Sequence, residues 1–250
     1  MIYIKKKSCS SAIQESINQV KHSDAWRNCN DRDVVRMRNC FDSLNKDVIK
    51  MSLLEEQHGL CAYCMKKISK SKMTIEHWKP LSLGKENALN YSNFAGCCFG
   101  GKDSNGEKVL CCDAAKENKY IDINPWDNSQ MERIKYTTDG RILIDSKNLT
   151  LQHDIDYALQ LNGELDQNGH IKHDTSTRLI EGRREAYNKY KRYVRQLEKK
   201  YKKTNDKNDI VADKLEKRIK ALESKDEYEE FIGVLLYFMK RRVRNRKDKS

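Results

Sequence analysis

The segment "LCAYCMKKISKSKMTIEHWKP", residues 60–80, joins a cysteine pair to an acidic residue and a histidine that end a short β-branched run. Cys61 and Cys64 are spaced so that both thiolates can bind one tetrahedral zinc ion from a tight turn. Glu76 and His77 are adjacent, so on a strand their side chains point to opposite faces unless the strand ends there. The segment is therefore either half of a purely structural zinc site or the edge of an active site.

Two cysteine doublets downstream can complete the zinc site. They are Cys97 and Cys98 in "NFAGCCFGG", and Cys111 and Cys112 in "KVLCCDAAK". One thiolate from each doublet would give a closed four-cysteine site, which is structural rather than catalytic. Disulfides are the alternative for nine cysteines, but a C-x-x-C pair with clustered partners in a cytosolic chain is more typical of a metal site.

The Glu-His pair also has a catalytic interpretation. A Glu oxygen suits Mg²⁺ or a similar hard cation, and a neutral His can take a proton from water near pH 7. The alternative is a partly exposed His beside an ordinary acidic neighbour. Two downstream residues favour catalysis, namely Asn93 in "YSNF" and Asp113 directly after a cysteine in "CDAAK".

The order C-x-x-C, Glu-His, Asn, Cys, Cys-Asp resembles the HNH nucleases, whose ββα-metal fold is often braced by a zinc knuckle. The resemblance implies that His77 is the general base that activates water toward a phosphodiester. Glu76 and Asp113 would hold one divalent ion, Mg²⁺ or Mn²⁺. Asn93 would fix the loop and orient the His77 ring through a hydrogen bond. Lys116 would contact a substrate phosphate.

The same resemblance selects among the doublet cysteines. It favours Cys98 over Cys97 and Cys112 over Cys111 as zinc ligands, completing the set with the C-x-x-C pair. The sequence departs from the family pattern in two places. Glu76 stands where many HNH enzymes have Asp, and 13 residues, "FGGKDSNGEKVLC", separate the last two knuckle cysteines.

A narrower resemblance covers most of residues 45–195. The motifs "CAYC", "IEHWKP", "CFGG", "CDAAKEN", "INPW", "LQLNGE" and "LIEGRREAY" are similar to HNH proteins found beside an ABC-type ATPase in Septu anti-phage defence, including retron-linked versions. The resemblance implies that this ATPase is a partner. In retron-linked versions, a reverse transcriptase and its reverse-transcribed DNA are further partners. Nucleic acid is the implied target, with DNA favoured over RNA such as tRNA.

Composition and charge are consistent with a nucleic-acid partner. Of 250 residues, 34% are charged and 38% hydrophobic, and no run approaches the roughly 18 apolar residues of a membrane span. No apolar stretch follows the first lysines, so we expect a cytoplasmic protein without a membrane partner. Residues 171–250 hold 25 Lys and Arg against 14 Asp and Glu, which accounts for +11 of the net charge of +12. Such a field attracts polyanions, and the alternative is a lysine-rich helix surface that is only solvated. The tail "KRRVRNRKDKS" favours nucleic-acid binding.

Periodicity divides the chain into three parts of an α+β protein. We predict an N-terminal helical segment over residues 1–58, with helices over 10–22 and 42–57. A ββα-metal core with its zinc knuckle follows over 59–128, and a basic helical domain over 129–250. Ser10 or Ser11 would cap the first helix. The second helix would present Leu44, Val48, Met51 and Leu54 or Glu55 on one face, and apolar residues recur at helical spacing from Leu179 to Tyr201. A non-catalytic zinc-knuckle protein that binds nucleic acid or acts as an adaptor is the alternative function.

Overall fold

The N-terminal part of the chain is helical. The computed structural model describes residues 1–102, 108–145, 149–165, 171–173 and 178–247. Its first four helices are α1 Ser11–Lys21, α2 Asp24–Arg27, α3 Val34–Asp42 and α4 Lys46–Glu56. Of the two candidate caps of α1, Ser10 is the one observed, because its side chain accepts a hydrogen bond from the Ile13 amide.

Helix α4 exists as predicted but buries a different face. It begins after Asn45, whose side chain accepts two backbone amides, and it buries Ile49, Leu53 and Glu56. Met51, predicted on the buried face, is 62% exposed. The buried face includes Glu56, whose carboxylate accepts hydrogen bonds from the N-terminal segment and from a tyrosine hydroxyl and is thereby satisfied in the core.

A two-stranded antiparallel hairpin follows the C-x-x-C turn. Strand β1 spans Thr74–His77 and strand β2 spans Phe94–Cys97, with the first residue of each opposite the last residue of the other. The connecting residues 78–93 contain three single 3₁₀ turns, Leu81–Leu83, Lys85–Asn87 and Tyr91–Asn93. A short strand pair, β3 Gly101–Lys102 and β4 Lys108–Val109, then leads to helix α5, Asp113–Lys116.

One glutamine fastens the hairpin to the end of α4. The Gln57 side chain donates to the carbonyl oxygens of Leu60 (2.7 Å) and Gly96 (2.8 Å) and accepts from the Gly96 amide (2.7 Å). A β-carbon at Gly96 would lie 2.6 Å from the Met73 methyl group. A larger residue at this position would therefore require the Met73 side chain to move.

The remainder of the chain mixes helices with short strands before a long helical unit. Its elements are α6 Asn128–Glu132, β5 Ile134–Tyr136, β6 Ile142–Ile144, α7 Leu149–His153, a π-helical turn Asp154–Ala158, β7 Glu164–Leu165, β8 Ile171–His173, α8 Leu179–Lys200, α9 Lys207–Glu223 and α10 Ile232–Lys247. The predicted helical spacing from residue 179 is confirmed by α8. The strand pairs β5–β6 and β7–β8 were not predicted, because each strand is only two or three residues long and offers little alternation.

The three predicted parts of the chain share one hydrophobic core, to which Ile13, Met65 and Val234 all contribute. Backbone hydrogen bonds join the C-terminal part to the cysteine turn, from the Phe231 amide to the Met65 carbonyl and from the Tyr228 amide to the His58 carbonyl. The architecture is thus a mixed α+β fold. Within the described residues, no helix is both long and apolar enough to cross a membrane. The division into three domains stays a prediction.

Candidate functional site

The structure brings four buried cysteines into one cluster. The Sγ atoms of Cys61, Cys64, Cys98 and Cys112 all lie within 4.8 Å of one another. Two of the sulfur–sulfur distances are 3.8 Å (Cys61 to Cys112) and 3.6 Å (Cys64 to Cys98). A tetrahedron of Zn–S bonds of about 2.3 Å has an edge of about 3.8 Å. The donor set and its spacing therefore fit a four-coordinate zinc ion.

Local backbone features hold these thiols together. The C-x-x-C turn closes with hydrogen bonds from the Cys61 amide to the Lys66 carbonyl and from the Met65 amide to the Cys61 carbonyl, with Met65 at a φ of 64°. Cys98 follows β2, and its amide donates to the Cys61 sulfur at 3.4 Å. Cys112 caps α5 at a φ of 57°. An amide that points at a sulfur stabilises the thiolate, which is the metal-binding form of cysteine.

Hydrogen bonds among the cysteine thiols also favour a thiolate at Cys61. Burial raises the pKa of Cys61, but hydrogen bonds from the thiols of Cys112, Cys64 and Cys97 outweigh it and lower the pKa to about 5. The other doublet members, Cys97 and Cys111, are buried outside the four-cysteine cluster. The cluster thus contains the four cysteines that the family resemblance selected, brought together across the 13-residue separation, of which residues 103–107 lie outside the described part.

Glu76 and His77 point to opposite faces of β1, as adjacent strand residues should. Glu76 faces α5, where the Lys116 ammonium lies 2.5 Å from its Oε1 atom. His77 faces α3, with its ring centroid 4.4 Å from that of Phe41 and 5.0 Å from that of Phe94. Both side chains are buried. The end of β1 therefore separates a carboxylate side from an imidazole side.

A pair of carboxylates forms the first side. Asp113 begins α5 and accepts a hydrogen bond from the Thr74 hydroxyl at 2.7 Å, which holds it beside β1. Burial raises the pKa of Glu76 well above its ordinary value, and its interaction with Asp113 raises the pKa further, against the opposing effect of Lys116. The Oε1 atom of Glu76 accepts no hydrogen bond of acceptable angle within the described residues, so its contact with Lys116 is a charge pairing. Two neighbouring carboxylates, one of which has an oxygen (Glu76 Oε1) that accepts no hydrogen bond from a described residue, fit a divalent cation.

The His77 ring has the tautomer expected of a base. Its Nε2 atom lies 3.0 Å from the carbonyl oxygen of Ala88, and a carbonyl can only accept, so we assign the proton to Nε2 and the free lone pair to Nδ1. Burial lowers the pKa of His77 to about 4, partly offset by the Ala88 bond and reinforced by the cations Arg38, Lys46 and Lys116. The ring is therefore neutral at pH 7, the form that accepts a proton.

Asn93 fixes the loop, but the expected hydrogen bond from Asn93 to the His77 ring is wrong. The Asn93 amide donates to the carbonyl oxygens of Lys79 (2.9 Å) and Asn87 (3.0 Å), and its oxygen accepts from the Lys79 amide (2.7 Å). These three bonds use the side chain within the loop. The ring is held instead by Ala88, directly after Asn87, so Asn93 acts on His77 through the backbone of the loop.

The expected contact between Lys116 and a substrate phosphate is also wrong. Its side chain is 0% exposed. The Nζ atom donates to the His77 carbonyl at 3.0 Å as well as pairing with Glu76. The Lys116 ammonium thus lies between the Glu76 carboxylate and the His77 carbonyl, both on β1. Lys116 is the buried counter-cation of Glu76.

Glu76, His77 and Asp113 line one cleft of about 220 Å³. Residues that the sequence did not predict also line the cleft, among them Arg38 of α3, and Glu117 and Asn118 after α5. A signal for α3 was present, since apolar residues recur at spacings of three and four from Val34 to Phe41. The sequence offers no sign that this helix reaches the cleft.

Two carboxylates and a neutral buried histidine thus lie beside a four-cysteine cluster whose donor set fits zinc. No family model matches the chain. The chain is 31% identical over 123 residues to a protein of Vibrio cholerae serotype O1 biovar El Tor. That protein is named as the HNH endonuclease of retron Vc95, and its name gives the activity as provisional. The match covers 47% of this chain and 58% of the relative, so the chain spans less than two thirds of that relative's length.

Proposed function

We propose that this chain is a metal-dependent HNH endonuclease that hydrolyses phosphodiester bonds of nucleic acid. The observation that carries the proposal is the cleft at the end of β1, in which a neutral His77 lies beside Glu76 and Asp113. The hairpin β1–β2 followed by α5 supports a ββα-metal unit, braced by the cysteine cluster. The Vibrio cholerae relative, by its name, supports a nuclease function in general terms.

In this proposal each side chain has a defined task. Nδ1 of His77 takes a proton from the attacking water, while the Ala88 carbonyl keeps the proton on Nε2. Glu76 and Asp113 would hold a Mg²⁺ or Mn²⁺ ion, which supplies charge neutralisation at the scissile phosphate. Thr74 keeps Asp113 aimed at Glu76. Cys61, Cys64, Cys98 and Cys112 would hold a structural zinc ion that fixes the start of α5 to the hairpin.

The biological setting belongs to the same proposal. The motif resemblance to Septu proteins, and the retron in the name of the relative, support an effector of a bacterial anti-phage defence complex. Its partner would be an ABC-type ATPase, joined in a retron-linked version by a reverse transcriptase and its reverse-transcribed DNA. The basic helices α8 to α10 would bind nucleic acid, dock the ATPase, or both.

A second candidate function is a non-catalytic nucleic-acid-binding or adaptor protein. One observation favours it, namely that Lys116 already neutralises Glu76. If this pairing is permanent, the carboxylates have no use for a divalent ion and the cleft serves only as structure.

Nicking of plasmid DNA and cleavage of cellular RNA by the full chain, alone and with the co-expressed ATPase, test the proposal. We expect cleavage with Mg²⁺ or Mn²⁺, its loss in His77→Gln, and its retention in the control His22→Ala, since His22 is exposed on α1's end. His77→Gln keeps a donor for Ala88 but has no titratable base. Cleavage that persists in His77→Gln would refute the general-base role. Metal-independent binding without cleavage by the complex would favour the adaptor.

A further inference from the structure

The cleft at the end of β1 has an unusual charge balance for a site that takes a phosphodiester. Three of its lining side chains are carboxylates, those of Glu76, Asp113 and Glu117. The buried ammonium of Lys116 lies beneath them and cannot reach a ligand. One divalent ion on Glu76 and Asp113 would offset only part of the charge of three carboxylates and a phosphodiester, so a further cation at the surface would favour entry of the anion.

Arg38 is the one cationic side chain among the described residues that line the cleft. It is exposed on α3. No ion pair engages it within the described residues, whereas Arg36, two positions earlier, pairs with Asp33 at 3.2 Å and donates to a backbone carbonyl. Arg38 therefore keeps its hydrogen-bond donors available, and Arg36 does not.

The fold fixes the position of Arg38 relative to His77, the proposed general base. Its guanidinium carbon lies 5.9 Å from the ring centroid of Phe41, one turn further along α3, and the Phe41 ring packs edge-on against His77. Helix α3 also packs against the turn Leu81–Leu83 that follows β1. The helix that carries Arg38 is thus fixed to the same strand end that carries His77.

We propose that Arg38 is the phosphate-binding residue of the cleft, supplied by the N-terminal helical segment to the nuclease core. The proposal rests on the proposed endonuclease function and replaces the role first expected of Lys116. A guanidinium presents a planar fork of donors that matches two phosphate oxygens, and it stays charged at every working pH. Arg38 would orient the scissile phosphodiester toward His77 and offset the carboxylates while the substrate enters.

Hydrolysis of bis(p-nitrophenyl) phosphate by the full chain with Mg²⁺ or Mn²⁺ is the first arm of the test. This small diester lacks the polyanionic backbone that the basic C-terminal helices would attract, so its turnover reports on the cleft. We expect Arg38→Ala to lower kcat/KM by about tenfold or more, Arg38→Lys to recover part of the loss, and the control Arg27→Ala to match wild type. Arg27 carries the same charge on the same segment but is not among the residues that line the cleft. Thermal unfolding midpoints of all variants exclude a folding defect.

Binding of a fluorescein-labelled short DNA duplex, measured by anisotropy in the His77→Gln background, is the second arm and needs no turnover. We expect Arg38→Ala to weaken binding by about threefold or more relative to Arg27→Ala. If Arg38→Ala has the same kcat/KM and the same affinity for DNA as Arg27→Ala, the proposal is overturned, and the proposed endonuclease function is unaffected. If wild type shows no turnover that depends on His77, either alone or with the co-expressed ATPase, but DNA binding still depends on Arg38, the endonuclease function fails and Arg38 remains the phosphate contact.

Discussion

The buried, neutral state of His77 predicts that this residue makes the fold sensitive to acid. The pKa of His77 in the folded chain is about 4, against about 6.5 when unfolded. A depressed folded pKa means that the unfolded chain binds the proton first, so stability is full above about pH 6.5 and falls as the pH drops toward about 4. Between about pH 7 and pH 5 the expected loss from this one group is about 2 kcal/mol.

Urea unfolding of wild type and His77→Gln at about pH 7 and about pH 5 measures this contribution. Glutamine removes the titration but leaves every other ionisable group in place, so the difference between the two pH dependences isolates the histidine. The experiment is run in magnesium-free buffer, because a divalent ion beside Glu76 would also act on the ring. We expect the wild type to lose about 2 kcal/mol more than the variant.

Equal pH dependence in the two proteins would refute the assignment, since it would mean that the ring titrates in the fold as it does in water. The same pKa sets the acid limb of the pH dependence of kcat/KM. With metal present, the base remains unprotonated well below pH 6.5, so the acid limb of kcat/KM falls near pH 4 rather than at the ordinary histidine value.

Three further predictions concern the cysteines, the buried lysine and the basic tail. Cys64→Ser should lose the zinc that wild type retains, measured as metal per chain by plasma mass spectrometry, while Cys97→Ala keeps it; equal zinc content would contradict the ligand set. Lys116→Met leaves its buried carboxylate partner unpaired and should cost about 3–5 kcal/mol in urea unfolding. Added Mg²⁺ should restore part of this loss, and unchanged stability would argue against the ion pair. Changing the exposed Arg241 and Arg244 together to Gln should weaken DNA binding and make the salt dependence shallower by about one unit of slope per lost phosphate contact. An unchanged slope would place nucleic acid on another surface.

The C-x-x-C turn and the end of β1 were predictable because short-range rules govern both, whereas the choice of Cys98 and Cys112 came from the family resemblance. The spacing of Cys61 and Cys64 and the alternation of Glu76 and His77 depend only on local backbone geometry. Helix α1 and its Ser10 cap follow from the same kind of rule. What the pattern could not supply was which face of α4 is buried, since Glu56 is inside only because distant groups satisfy it.

The partners of long side chains were not predictable. Lys116 sits one turn into α5, from which its stem could reach either solvent or the strand below, and only the packing of α5 on β1 decides between them. Asn93 lies in a loop with many free carbonyl groups, and the path of residues 78–93 determines which it contacts. Arg38 was missed for a related reason, because the element that covers a cleft is fixed by tertiary packing rather than by its own sequence.

The Glu76–Lys116 pair is where the two candidate functions diverge. One ammonium balances one of two carboxylates, and Asp113 has a hydroxyl rather than a second cation as its described neighbour. The pKa of Glu76 is raised mainly by burial and further by the neighbouring Asp113, despite the opposing effect of Lys116. An inert Glu76–Lys116 pair gains nothing from the Asp113 carboxylate, because a neighbouring like charge disfavours the ionised form of Glu76. A divalent ion would neutralise both carboxylates and leave Lys116 free to hold only the His77 carbonyl, where it would support the strand end that carries the base.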